Sequence, residues 1–206
     1  MGLRRGRYLV TDVLGGAGIP SGSIIINDTF TAADGTNLAG HAPDVAAYLA
    51  TGQTWSVLTA PTATMKIVSN KATVDAGSNP VARISAGIAT GYVLTADINT
   101  ATVGAGILVR VKDATNWWQI ASLVASDELT IAESNAGVLT IRATTPMVVG
   151  ASVLYTVTIT LSGATITAQI GATTVSYASS LHATETGVGI RNIGAATTDN
   201  FKVVYA

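Results

Sequence analysis

The 206-residue sequence contains no cysteine and is poor in charge, with 11% charged residues. Without cysteine, the chain has no disulfide, no thiolate metal site and no cysteine nucleophile. Eleven basic side chains against twelve acidic ones give a formal net charge of −1. Because no basic excess is present to neutralise phosphates, nucleic acid is excluded as the expected partner. No apolar run reaches the 18 or so residues that a membrane-spanning helix needs, so we expect no membrane insertion.

What the sequence does contain, from residue 24 onward, is alternation of apolar and polar residues. Val157, Ile159 and Leu161 share one face of a predicted strand whose other face carries threonines. Short strands of this kind, separated by turn signals, predict an all-β fold made of two packed antiparallel sheets. The exception is the segment 44–50, where Pro43 and the following alanines predict one or two helical turns. The alternation in 107–112 places Arg110 opposite Ile107 and Val109, as a solvated or interface residue.

The first 23 residues differ from the remainder, and we expect them to form an extended N-terminal arm ahead of a sandwich domain at 24–206. A secretory signal is disfavoured because Asp12 interrupts an apolar stretch that is already short. A membrane-anchoring helix is disfavoured by the glycines and the proline that follow. The alternatives left are a flexible tail and an arm that docks on a partner subunit, which we favour. The predicted partner-docking residues are Arg4, Arg5, Arg7, Tyr8, Leu9 and Val10.

Three motifs resemble a known family when they are taken in chain order. The first begins with Asp28-Thr29-Phe30 and runs through His41 and Trp55, the second is the hairpin Asp113 to Trp118, and the third runs from Gly187 to Val203. Together they resemble the concanavalin A-like, laminin-G-like jelly rolls found in bacteriophage structural proteins. The resemblance implies a two-sheet jelly-roll sandwich in which the first and last strands are neighbours. Phe30 and Phe201 would then bury in one corner of the core.

The family resemblance implies an accessory virion protein, a capsid decoration or tail component located on the phage particle. Other virion subunits, further copies of the chain and a host-surface glycan are its expected partners. The alternative is a carbohydrate-binding adhesin on the tail. A fold of this kind hosts lectins, glycosidases and virion proteins alike, so the function has to be argued from a site.

We expect no enzymatic activity and no resident cofactor. Glycosidases of this fold use an acidic cluster on one strand, whereas the five-residue offset between Glu128 and Glu133 puts these carboxylates on opposite faces, as solvated residues at a strand end. His41 and His182 have no second histidine at metal spacing, and both are expected to fix loops.

Calcium and sugar are the ligands that remain open. Calcium would draw on aspartates in loops, although aspartates in turns usually cap their own backbone. Trp117 and Trp118 are consecutive on a strand and therefore point to opposite faces, one into the core. The other is exposed for sugar stacking, covered by a loop, or buried at a subunit contact. The candidate calcium ligands are Asp28, Asp34, Asp44 and Asp199.

Overall fold

The computed structural model describes residues 18–49, 52–59, 62–77, 79–100, 105–123 and 126–206, and these ranges form sixteen strands. The partner-docking residues predicted at Arg4 to Val10 lie outside the described residues. The strands are β1 (Ile24–Asp28), β2 (Val45–Ala46), β3 (Ser56–Val57), β4 (Thr64–Val68), β5 (Lys71–Ala76), β6 (Val81–Ser85), β7 (Tyr92–Thr100), β8 (Gly106–Asp113), β9 (Asn116–Leu123), β10 (Glu128–Asn135), β11 (Val138–Pro146), β12 (Val153–Ser162), β13 (Thr165–Ile170), β14 (Thr173–Ala178), β15 (Gly187–Arg191) and β16 (Thr197–Tyr205).

The strands form two antiparallel sheets that pack face to face, which confirms the predicted jelly-roll sandwich. The nine-stranded sheet has the order β14-β13-β12-β7-β16-β1-β2, with β5 also on β16 and β4 on β5. The seven-stranded sheet has the order β11-β10-β9-β8-β15-β6-β3. Their inner faces carry one continuous apolar core, in which the residues at alternate positions of β12 are fully buried: Val157, Ile159 and Leu161.

The helical turns predicted for the segment 44–50 are wrong. Val45 and Ala46 instead form the short strand β2, pairing with Asn27 and Ile26 at the edge of the nine-stranded sheet. Residues 18–49 and the other described ranges contain no helix. An edge strand of two residues is too short to produce an alternating pattern, so local helix propensity was the stronger signal in the sequence.

The first and last strands are neighbours, as the family resemblance implies. β1 pairs with β16 so that Asp28 lies opposite Phe201. Phe30 and Phe201 are both fully buried, and Trp55 stands between them, with ring centroids 5.7 Å from Phe30 and 5.2 Å from Phe201. This aromatic cluster joins the end of the chain to the long loop that follows β1.

A buried carboxylate organises the same corner. Asp28 is fully buried and accepts hydrogen bonds from Trp55 Nε1 at 2.6 Å and from the backbone N–H of Phe30 at 2.7 Å. Its Oδ1 also lies 3.1 Å from His41 Nε2. Burial raises the pKa of the Asp28 carboxyl, although the hydrogen bonds from Trp55 and Phe30 work in the opposite direction.

Arg110 is a buried residue at a β-bulge, so its prediction as a solvated or interface residue is wrong. The ladders of β8 with β9 and β15 both shift register here, and Arg110 has a φ of 51°. Its guanidinium is fully buried and donates to the carbonyls of Ser179 (2.7 Å) and Gly163 (2.9 Å), which lie in loops of the nine-stranded sheet. The bulge also turns Val111 to the outer face, because one extra residue reverses every later side chain.

Candidate functional site

The two consecutive tryptophans point to opposite faces of the seven-stranded sheet. Trp118 lies in the core, with its ring centroid 5.6 Å from that of Tyr177 and its Nε1 donating to the Leu181 carbonyl at 3.1 Å. Trp117 lies on the outer face, in a small apolar cluster with Leu108 and Val111. Only 5% of Trp117 is exposed, so its ring is not an open stacking platform.

The guanidinium of Arg191 covers Trp117. Its Cζ lies 5.5 Å from the centroid of the Trp117 ring, within the range of a cation–π contact. Arg191 Nη1 also donates to Gln119 Oε1 at 3.1 Å. Burial lowers the pKa of the Arg191 guanidinium, which nevertheless stays charged because an arginine pKa lies so far above neutrality. The surface above Trp117 is therefore a fixed cation beside a side-chain amide.

Two glycines leave room for side chains to lie directly on the backbone of this face, Gly106 beneath Gln119 and Gly187 beneath Arg83. A Cβ at Gly106 would collide with the side-chain amide of Gln119, and one at Gly187 would collide with Arg83 Nε and with the carbonyl of Val111. A glycine in the interior of a strand often marks such a close approach. The outer-face cluster, defined here as Arg83, Trp117, Gln119 and Arg191, is therefore fitted to the backbone beneath it.

The outer-face cluster carries positive charge with no carboxylate in its strands. The strands that hold its residues, β6, β9 and β15, carry two arginines, at 83 and 191, and no Asp or Glu, whereas β8 between β9 and β15 ends in Asp113. Arg83 lies opposite Gly189 on the neighbouring strand, which makes it a diagonal neighbour of Arg191 on the same face. Among the described residues neither arginine makes an ion pair, and Arg83 Nε is buried without a hydrogen-bond partner.

The four aspartates proposed for calcium each have their own hydrogen-bond partners: Asp34 and Asp44 lie in loops, whereas Asp28 ends β1 and Asp199 lies in β16. Asp34 accepts from the Ser69 N–H at 2.7 Å, and Asp44 accepts from the Thr29 N–H and hydroxyl at 2.9 and 2.6 Å. Asp199 accepts from the Asn200 N–H at 2.7 Å, while Asp28 is used by the aromatic corner. No group of three or more metal-binding side chains occurs among the described residues. Each carboxylate thus orders backbone or side chains near it.

Glu128 and Glu133 point to opposite faces of β10, as their five-residue offset predicts, but Glu133 is not solvated. It shares the inner face with Trp118, its cross-strand partner, and is 7% exposed. Arg142 on β11 donates to its Oε1 at 2.6 Å. The prediction of a solvated strand end is therefore wrong for Glu133. It forms an ion pair at the edge of the sandwich instead.

The histidines differ in their surroundings. His41 fixes the loop after β1 through its contact with Asp28. His182 lies between β14 and β15 with a φ of 55°, and its Nε2 is buried without a hydrogen-bond partner. A loop-fixing role for His182 stays a prediction.

Of the outer-face cluster, the sequence predicted Trp117 as a candidate and did not predict Gln119, Arg83 or Arg191. The signal for Gln119 was present, because it shares the face of Trp117 two residues away on the same strand. Arg83 and Arg191 come from strands far apart in the chain. They join the cluster only through the pairing of β6, β15 and β8, which no local pattern encodes.

The structure is a jelly-roll β-sandwich with a cationic cluster on the outer face of its seven-stranded sheet. The chain is similar to the carbohydrate-binding module CBM66 from Bacillus subtilis, with 14% identity and a TM-score of 0.63, over 73% of this chain and 94% of that one. It is also similar to a Bacillus subtilis protein of unknown function with a galectin-like fold, with 11% identity and a TM-score of 0.52, over 73% and 89% of the two chains. The galectin LEC-6 of Caenorhabditis elegans matches at 12% identity and a TM-score of 0.47, over 61% and 93%.

Comparison of the sequence with family models and with curated proteins does not assign the chain to a family. No protein-family model matches the chain, and no curated protein does. The structural likenesses thus identify the fold, a galectin-like or concanavalin A-like jelly roll, and leave the function to be argued from the outer-face cluster. In the part of the chain that the structure describes, no helix has the length and apolar character needed to cross a membrane.

Proposed function

We propose that the chain is a non-catalytic carbohydrate-binding module whose ligand lies on the outer face of the seven-stranded sheet. The observation that carries this proposal is the outer-face cluster itself, in which a guanidinium is held over a tryptophan and is bonded to a side-chain amide. Binding sites combine apolar surface with a few convergent polar groups. The similarity in fold to the carbohydrate-binding module CBM66 supports the same function.

The outer-face cluster is rigid and has the hydrogen-bonding capacity that a sugar needs. Gln119 is 5% exposed and is held by Arg191, so its amide loses little conformational freedom when a ligand binds. A guanidinium presents five N–H donors in a fixed fork, and an amide supplies both donors and an acceptor. Adjacent sugar hydroxyls, each a donor and an acceptor, match such a set of groups.

A matched pair of glutamines tests the location of the site. Gln119 lies on the outer face of the seven-stranded sheet, and Gln169 is exposed on β13 of the other sheet. We expect the full chain to bind members of a glycan panel, measured by tryptophan fluorescence and calorimetry. Gln119→Ala should weaken that binding at least about fivefold, because about 1 kcal/mol per lost hydrogen bond corresponds to that change.

Gln169→Ala should bind as the unchanged chain does. If no glycan on the panel binds, the carbohydrate function is wrong. If both glutamine variants bind normally, sugar is bound elsewhere, and the outer face of the seven-stranded sheet is not the site.

We also propose, as a second function, that the chain is an accessory phage virion protein that assembles with other virion subunits or with further copies of itself. What supports it is the edge strand β11, which exposes Val138, Leu139 and Ile141 by 66, 50 and 51%. Apolar side chains on an unpaired sheet edge favour association with another chain.

Light scattering tests this second function on the full chain and on a variant lacking residues 1–22. If the arm makes the contacts, the full chain is an oligomer and the shortened variant is a folded monomer. If β11 makes them, Ile141→Lys should dissociate the oligomer, whereas Gln169→Lys on the other sheet should leave it intact. A full chain that stays monomeric and does not bind virion subunits contradicts the assembly proposal.

A further inference from the structure

We propose that the ligand of the outer-face cluster is an acidic glycan, whose carboxylate or sulfate group is held between Arg83 and Arg191. This inference rests on the proposed carbohydrate function and specifies its substrate class. The juxtaposition that carries it is two guanidiniums on adjacent strands of one sheet face, in strands without a carboxylate.

Arg83 and Arg191 have no acidic counter-charge among the described residues. The ion pairs of the described residues are Asp75 with Lys66 and Glu133 with Arg142, and both lie outside the outer-face cluster, as does the contact of Asp28 with His41. Half-buried cations are ordinarily paired, because their hydration is partly lost. Arg83 and Arg191 are both half-buried and receive only an amide oxygen and an aromatic ring between them. The face therefore favours an anion supplied from outside the described residues.

The positions of Arg83 and Arg191 place both guanidiniums on one face of the sheet. Arg83 and Arg191 occupy diagonal positions across the β6–β15 pair, so both guanidiniums face the same side of the sheet. A guanidinium recognises a carboxylate or a sulfate-like oxyanion through parallel N–H donors.

The charge distribution favours an acidic sugar over nucleic acid as the anionic ligand. The whole chain has a net charge of −1, so it lacks the broad positive field that nucleic acid binding requires. Within the outer-face cluster the positive charge comes from two arginines, and the Gln119 amide and the Trp117 ring lie beside them. Such a mixed set fits a ring that carries hydroxyls and one anionic group.

The test compares each acidic oligosaccharide with its own neutral form, using the full chain and calorimetry. Trigalacturonic acid is paired with its methyl ester, and sulfated oligosaccharides are paired with their desulfated forms. We expect the acidic form to bind at least tenfold more tightly and to lose affinity between 50 and 500 mM NaCl, because salt screens the attraction. Carboxylated and sulfated pairs show which anionic group is preferred.

Charge-removing variants locate the effect. Arg83→Gln and Arg191→Gln should each reduce the preference for the acidic form at least tenfold. Lys202→Gln, which removes the same charge from the nine-stranded sheet, should leave it unchanged within twofold. Circular dichroism checks that each variant is folded, and the ester comparison on the unchanged chain does not depend on any variant.

The outcomes distinguish this inference from the proposed function. If neutral forms bind as tightly as acidic ones, or if both arginine variants keep the preference, the acidic-glycan inference is wrong and the carbohydrate function stands. If neither member of any pair binds, both are wrong.

Discussion

Asp28→Ala is expected to lower the free energy of unfolding by about 3 kcal/mol or more, since each buried donor left unpaired costs about 1–3 kcal/mol. The substitution removes the acceptor of Trp55 Nε1 and of the Phe30 N–H, both inside a fully buried corner. Urea unfolding followed by tryptophan fluorescence measures the change. Asp28→Asn keeps the shape and one oxygen, so its loss should be smaller. Equal losses in the two variants would contradict the hydrogen-bond account.

The pH dependence of stability gives a second check on Asp28. Burial raises the pKa of the Asp28 carboxyl in the folded chain, so the folded state holds this proton more tightly than the unfolded state. The resulting stabilisation is present below the unfolded value of about 4 and is lost as the pH rises through the folded pKa. We therefore expect the unfolding free energy of the unchanged chain, relative to Asp28→Asn, to fall from pH 3 to pH 6.

Asp44 is the matched control, because it lies nearby and should give the opposite slope. Hydrogen bonds from the hydroxyl and the N–H of Thr29 lower the pKa of the Asp44 carboxyl. Its stabilisation is present above the unfolded pKa and is lost as the pH falls through the folded one. The unchanged chain should thus gain stability relative to Asp44→Asn as the pH rises, by a small amount because Asp44 is exposed. Slopes of the same sign in both comparisons would be incompatible with these directions.

The sequence predicts the sandwich well where a strand pairs along its length and buries one face. β12 illustrates this, because alternation alone identified Val157, Ile159 and Leu161 as core residues, and all three are fully buried. The corner of Phe30 and Phe201 was also predicted, by family resemblance. The β12 prediction rests on alternation within one strand, which is what a local pattern encodes, whereas Phe30 lies in the loop after β1.

The predictions fail where a side chain's surroundings depend on pairing between distant strands. Alternation assigned Arg110 to the surface, whereas the bulge turns it inward to carbonyls more than fifty residues away. The same dependence hides the meeting of Arg83 and Arg191. For this chain the outer-face cluster is a product of sheet order, and only Trp117 and Gln119, which share one strand, could be placed on one face from the sequence.

Arg110→Ala is expected to destabilise the sandwich by about 3 kcal/mol, the cost typical of leaving buried polar groups without partners and of creating a cavity. The guanidinium is the donor to the Gly163 and Ser179 carbonyls, so it connects the seven-stranded sheet to two loops of the other sheet. Thermal and urea unfolding measure the loss. Lys112→Ala, an exposed change two residues further along the same strand, should stay within about 0.5 kcal/mol.

Arg110→Gly separates the hydrogen bonds from the backbone conformation. Both variants lose the guanidinium, but glycine adopts a φ of 51° without the strain that alanine incurs there. Glycine should therefore be no more destabilising than alanine at this position, although in an ordinary strand it is the worse residue. If glycine is clearly the worse of the two, the bulge does not persist without its arginine. The guanidinium bonds would then hold the left-handed conformation, and with it the outward placement of Val111 beside Trp117.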